Sequence, residues 1–239
     1  SHCGEERGGQ DMREDYTVRT AALIGAEGVK RLERAKVLVC GIGGVGGYAV
    51  EALARAGVGR LGLLDGDVVS ATDLNRQIIA TTRTLGRKKT EVAAERVREI
   101  NPDCECVTYD MFYLPQNADA LDLAEYDWVI DAVDTVAAKV ELICGAKAAN
   151  VKIVSSMGTG NKLNPVFEIC ELKKTKVCPL AKVMRKLLKE RGVTDVPVLY
   201  SEEEPRRTDG ERTPSSISYV PAVAGLTLAG FVIRQIVGV

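Results

Sequence analysis

The chain has 239 residues, of which 46% are hydrophobic, 5% aromatic and 27% charged. This balance excludes disordered and fibrous proteins and suits one large domain. Lys and Arg number 32 against 33 Asp and Glu, a net charge of −1, so any nucleic-acid binding has to come from a local patch.

Residues 1–11 are polar and Gly-rich and read as a tail, or an expression remnant ahead of Met12. The tail is expected over 1–15 and one domain over 16–239, with a core at 36–160 and a C-terminal extension at 161–239. The single histidine, His2, falls in the tail. A histidine triad, metal site or general base is therefore excluded from the folded body.

Residues 20–34 carry Leu23, Ile24, Val29 and Leu32 and predict a helix. Residues 36–40 are a short apolar strand running into Gly41-Ile-Gly-Gly-Val-Gly46. A helix over 48–56 and a strand over 60–65 complete a βαβ unit with the glycines at its first turn. A helix over 85–100 stops at Asn101-Pro102. Strands follow over 104–109, 128–132 and 151–155, with a helix over 136–149. The apolar strands do not alternate, which suits a sheet covered on both faces. The expected fold is α/β, a doubly wound, mostly parallel, Rossmann-like sheet with a C-terminal strand and helix extension.

In the last third, residues 167–172 alternate as a half-exposed strand. Pro179 opens a helix over 179–191 and Gly192 closes it. A strand over 196–200 precedes a polar, acidic stretch at 201–216 that reads as a mobile loop. The longest apolar run, 219–233, is shorter than the about 20 residues of a membrane span. It reads as a strand end and a C-terminal helix. Burial in the protein is preferred over a dimer interface or weak association with a membrane surface.

Gly41, Gly43 and Gly46 match G-x-G-x-x-G between strand and helix. Such a turn lets the backbone approach a phosphate, whose charge the helix N-terminus favours. Asp65 follows 19 residues after Gly46, where a carboxylate binds ribose hydroxyls. These features alone leave NAD and ATP both open. Asp67, Asn75, Arg76 and Gln77 come next, then Arg87, Lys88 and Lys89 at a helix start. Cleaving a triphosphate needs cations on the phosphates, and Arg76 and Lys89 supply them. Three cations at a helix start oppose its dipole and call for an anion nearby. Two carboxylates end the 128–132 strand. Asp134 is preferred for Mg²⁺, which takes one or two carboxylates plus phosphate oxygens, and Asp131 reads instead as a structural cap on the following turn.

The seven cysteines, at 3, 40, 104, 106, 144, 170 and 178, include no C-x-x-C pair. A zinc site is not expected, and an odd count suits reduced thiols in a cytoplasmic protein. Cys178 precedes Pro179 at a helix start, where a thiol is activated. It is a candidate for a thioester or for accepting sulfur, but a small buried residue beside the cap is preferred.

Taken together, G-x-G-G-x-G at 41–46, D-x-D at 65–67, L-N-R-Q at 74–77, Lys89 and D-A-x-D at 131–134 resemble the adenylating enzymes related to ubiquitin-activating enzyme. Within that superfamily, N-R-Q-I at 75–78, S-S-M-G-T-G-N-K at 155–162, V-C-P-L-A at 177–181 and S-I-S-Y-V-P at 216–221 are most similar to the tRNA threonylcarbamoyladenosine dehydratases. The resemblance implies ATP with Mg²⁺, with a monovalent cation left open, and a homodimer. It implies a modified tRNA whose threonylcarbamoyl side chain is closed into a ring through an acyl-adenylate. It assigns Gly41, Gly43, Gly44 and Gly46 to the phosphate loop, Asp65 to ribose, Asn75, Arg76 and Lys89 to the phosphates and Asp134 to magnesium. Arg19 resembles an arginine that reaches the phosphates from the other subunit, with an ordinary helix arginine equally favoured. The alternatives are an activating enzyme for a ubiquitin-like or sulfur-carrier protein, fed by a cysteine desulfurase or sulfur-acceptor partner, and a non-catalytic NAD-binding module. Residues 173–191 hold eight Lys and Arg against one acid, Glu190. They are the candidate contact for a tRNA backbone, with a solvated basic helix as the alternative.

Overall fold

The computed structural model describes residues 10–207, 210 and 212–239. His2, Cys3 and the first nine residues of the expected tail lie outside the described residues. Seven strands form one sheet: β1 Lys36–Cys40, β2 Arg60–Leu64, β3 Glu105–Tyr109, β4 Trp128–Asp131, β5 Lys152–Ser156, β6 Glu168–Glu171 and β7 Pro197–Tyr200. Their order is β3-β2-β1-β4-β5-β7-β6. Every pair is parallel except β6 with β7.

The helices are α1 Gln10–Arg34, α2 Gly46–Arg55, α3 Lys89–Ile100, α4 Val136–Ala148, α5 Pro179–Glu190 and α6 Val220–Val237. Alternation along β1 divides the core. Val37 and Val39 face Leu53, Val97, Leu228 and Val232 of α2, α3 and α6. Leu38 and Cys40 face Leu142, Ile143, Met184 and Leu188 of α4 and α5. Burial on both faces explains the uninterrupted apolar strands. The chain order reverses between β1 and β4. The loops after these two strands leave the same end of the sheet, the usual place for a ligand in such folds.

Four local expectations are revised. Helix α1 begins earlier than residue 20, at Gln10, and is interrupted at Gly25, which has φ 82° and ψ 161°. Helix α3 begins at Lys89 instead of 85, because Gly86 has a positive φ and Lys88 is extended and bridged to Val68. No strand end precedes α6: Tyr219 is its N-cap, and Pro221 lies in its first turn. The described part of 201–216 is tied down. Glu203 accepts from the Leu163 and Asn164 amides, and Asn161 joins Arg206 and Ser215.

Helix α6 is long and apolar enough to cross a membrane by composition alone, but half of it is buried within the protein. It runs along α2 and reaches α1.

Candidate nucleotide site

The glycine loop owes its shape to clashes that only glycine avoids. Gly41 has φ +87°, and a Cβ there would lie 2.5 Å from the Ala132 carbonyl oxygen. A Cβ on Gly46 would lie 1.7 Å from the Gly41 carbonyl oxygen. Gly44 packs against the Arg76 side-chain stem and Pro221. Gly43 differs: a Cβ there would meet only Gln77 Nε2, at 3.6 Å. Its glycine therefore keeps space open above the loop, and that space is where a phosphate fits.

Asp65 ends β2 and closes onto this loop. Its Oδ2 accepts from the Ile42 amide at 2.7 Å and its Oδ1 from the Asp67 amide at 2.8 Å. Burial pushes its pKa up, while the two amides and Lys89 pull it back. Asp67 is exposed beside it, and its carbonyl accepts from the Lys89 amide.

The cations are gathered by Asp73, a residue the motif reading passed over. Asp73 closes a capping box with Ser70 on the 3-10 turn Ala71–Asn75. Its Oδ2 lies 3.6 Å from Lys89 Nζ, and its Oδ1 accepts from Gln77 Nε2 at 3.1 Å and lies 4.0 Å from Arg76. Arg76 also donates to the Thr72 carbonyl and to Asn75 Oδ1, while Asn75 donates to the Ser216 carbonyl. The D-x-x-R-Q spacing, which stacks residues three and four apart on one turn, was the available signal. Gln77 Oε1 is buried without a hydrogen-bond partner, a spare acceptor beside Gly43.

Of the three cations at the helix start, only Lys89 faces this cluster. Arg87 pairs with Glu91 and Glu95, and Lys88 with Asp110 at 2.8 Å. The chain's own carboxylates thus supply the anions those two require.

The two strand-end aspartates divide their work. Asp131 is fully buried. It accepts from Ser155 Oγ at 2.6 Å, from Lys139 Nζ at 3.3 Å and from the Val133 amide at 3.1 Å. It is the structural cap, and Lys139, also missed by the motif reading, is its counter-ion. Asp134 is exposed on the turn that Asp131 holds. Among the described residues no cluster of three or more His, Cys, Asp or Glu is placed to hold a metal. A lone carboxylate beside a phosphate cradle suits Mg²⁺, which completes its shell with phosphate oxygens and water.

Two candidates lie elsewhere. Arg19 is exposed on α1, and Tyr16 of the same helix reaches Gly57, beyond the far end of α2. The glycine loop is at the near end, about 15 Å away along ten residues of helix. Arg19 thus lies toward the end of α2 opposite the glycine loop. Cys178 is 3% exposed in the α4/α5 core, whereas Val69, Ile79 and Ala80, around Arg76, pack on the other face. Buried Lys162 lies close to Cys178, has its pKa pushed down by burial and donates to the Gly158 carbonyl at 2.9 Å.

The ThiF family model matches residues 17–239. A tRNA threonylcarbamoyladenosine dehydratase of Bacillus subtilis is 38% identical over 236 residues, covering 91% of this chain and 93% of the relative. That of Escherichia coli is 40% identical over 171 residues, covering 71% and 64%. The crystal structure of E. coli tRNA N6-threonylcarbamoyladenosine dehydratase with AMP superposes with a TM-score of 0.90 at 32% identity, covering 95% of this chain and 96% of the other. Its complex with ATP gives a TM-score of 0.87. The chain belongs to the ThiF family.

Proposed function

We infer that the protein is an ATP-dependent tRNA threonylcarbamoyladenosine dehydratase. One observation carries this reading: nearly the whole chain superposes on a dehydratase crystallised with AMP, with the phosphate cradle, acid and cations described above at the switch point of the sheet. The threonyl carboxylate attacks the α-phosphate of ATP, forming an acyl-adenylate and releasing pyrophosphate. A nitrogen of the same modified nucleoside then attacks the activated carbonyl and loses its proton. The ring closes, and AMP leaves with the former carboxylate oxygen. The second step is intramolecular, so positioning supplies much of the rate, and no protein nucleophile is required.

Within this reading the glycine loop receives the phosphates, Asp65 orients the ribose, and Arg76 and Lys89 hold the charge of departing pyrophosphate. Asn75 is an uncharged donor beside Arg76. Asp134 would hold Mg²⁺, which supplies charge neutralisation on the phosphates. We assign Arg19 to the site of a partner subunit. Its position remote from its own loop supports this, as do Val18 and Leu23, 58% and 86% exposed on the same helix, as an apolar contact surface for a homodimer. Cys178 is a core residue, and no sulfur transfer is assigned to it.

The test is stoichiometric release of AMP and pyrophosphate. It should require tRNA carrying threonylcarbamoyladenosine and stop without it. Release driven instead by a small protein ending in Gly-Gly would contradict the reading.

A further inference from the structure

We propose that Lys182, Lys186 and Lys189 of α5, with Lys176 just ahead of the helix, form the surface that grips the phosphate backbone of the tRNA. The proposal rests on the dehydratase reading and adds the location of the RNA.

The structure sorts the eight cations of 173–191. Lys173 pairs with Glu171 at 3.0 Å and Arg191 with Glu141 at 3.1 Å. Arg185 is turned back onto the Thr175 carbonyl and hydroxyl. Lys174 lies in the field of Glu171. Lys176, Lys182, Lys186 and Lys189 are exposed, and none of them is in an ion pair among the described residues.

Burial of Ala181, Met184 and Leu188 fixes the rotation of α5. Lys182, Lys186 and Lys189, at i, i+4 and i+7, then form one outward strip about 10 Å long. The helix's one acid, Glu190, follows Lys189 at about 100° around the helix. The net charge is only −1, so this positive strip is a local feature. Placing four unpaired lysines against phosphates releases the counterions condensed on the nucleic acid, which favours binding.

The strip is also in the right place. The N-terminus of α5, at Cys178, adjoins Lys162 in the loop that leaves β5 at the site end of the sheet. In that loop Asn161 binds Ser215, Ser216 accepts from Asn75, and Asn75 binds Arg76. The loop 157–163 thus links the start of α5 to the Arg76 cluster, and the proposed path of the RNA runs from that cluster along this loop to α5. Lysine is a compact point charge that binds phosphate without reading bases. Beside the strip, Leu180 and Leu187 are partly buried against the core, which leaves Val183, 45% exposed, as the one large apolar side chain of α5 open to a lipid surface.

The test compares K182Q/K186Q/K189Q with a control that removes the same charge elsewhere, K30Q/K36Q/K147Q. Binding of modified tRNA is followed by fluorescence anisotropy from about 50 to 200 mM salt, with the KM for tRNA and the thermal shift caused by ATP. The strip variant should raise the KM about tenfold and reduce the slope of log K against log salt by about 2. It should keep the shift with ATP, while the control stays within about twofold of wild type. An unchanged slope and KM, or an equal loss in the control, overturns the proposal. So does a strip variant that loses binding to phosphatidylserine vesicles while tRNA binding is unaffected. Wild type that binds modified tRNA but never dehydrates it would sink the enzymatic reading and leave the binding comparison valid.

Discussion

Lys89 Nζ lies 3.6 Å from Asp73 Oδ2, with both side chains less than a tenth exposed. One carboxylate thus holds a buried ammonium, caps the turn before it and steadies Arg76 and Gln77. Removing it leaves a buried charge unpaired. Asp73→Ala should lower the unfolding free energy by about 3 kcal/mol, read by urea titration. Asp73→Asn, which keeps an oxygen for the Ser70 amide, should cost less stability yet still raise the KM for ATP about tenfold.

The glycines of the loop should separate folding from binding. Gly46→Ala forces a Cβ into the Gly41 carbonyl and should disrupt the loop and lower the melting temperature. Gly43→Ala meets only an ordinary contact with Gln77, so its stability should stay within about 1 kcal/mol of wild type. Its ATP affinity should nevertheless collapse, because the methyl group occupies the phosphate's space. Calorimetric titration with ATP distinguishes the two variants.

Arg76→Ala and Asp134→Ala each remove a group from a half-exposed or exposed position. Turnover should fall about 10²- to 10³-fold, with stability within about 1 kcal/mol of wild type. Full activity in either variant would refute its assignment.

Acid stability has a separate source. Glu51 accepts from Arg96 at 2.6 and 3.0 Å and from Arg55 at 2.9 Å. Burial pushes its pKa up, but the guanidinium hydrogen bonds outweigh this and hold it below the usual 4.5. A carboxylate with a depressed folded pKa contributes stability above its unfolded value, and this is lost as pH falls through the folded one. Glu51→Gln should therefore be less stable at pH 7 and should lack that part of the decline below about pH 4.5. Urea midpoints measured against pH for both proteins check it.

The centre of the sheet was legible because β1, β2, β4 and β5 are buried on both faces. The apolar stretches of β1, β2 and β4 read as buried strands, and the glycines of 41–46 mark a turn where backbone must meet backbone. Residues 85–88 were misread as helix because their composition permits helix, while the bridge from Lys88 to Val68 is a tertiary contact. The partner of Lys88 was hidden for the same reason, since Asp110 lies 22 residues beyond it in the chain, whereas Arg87 pairs locally with Glu91 and Glu95. Asp73 had no assigned role until the fold brought Lys89 to it. Asp131 and Asp134 were separated only by burial, which spacing cannot supply.

The most direct test is nucleoside mass spectrometry of tRNA carrying threonylcarbamoyladenosine, incubated with the protein, ATP and Mg²⁺ and digested under conditions that preserve a labile ring. The reading of the site predicts loss of one water from that nucleoside, only when ATP is present. An unchanged nucleoside, with protein that is folded and binds ATP, would contradict it.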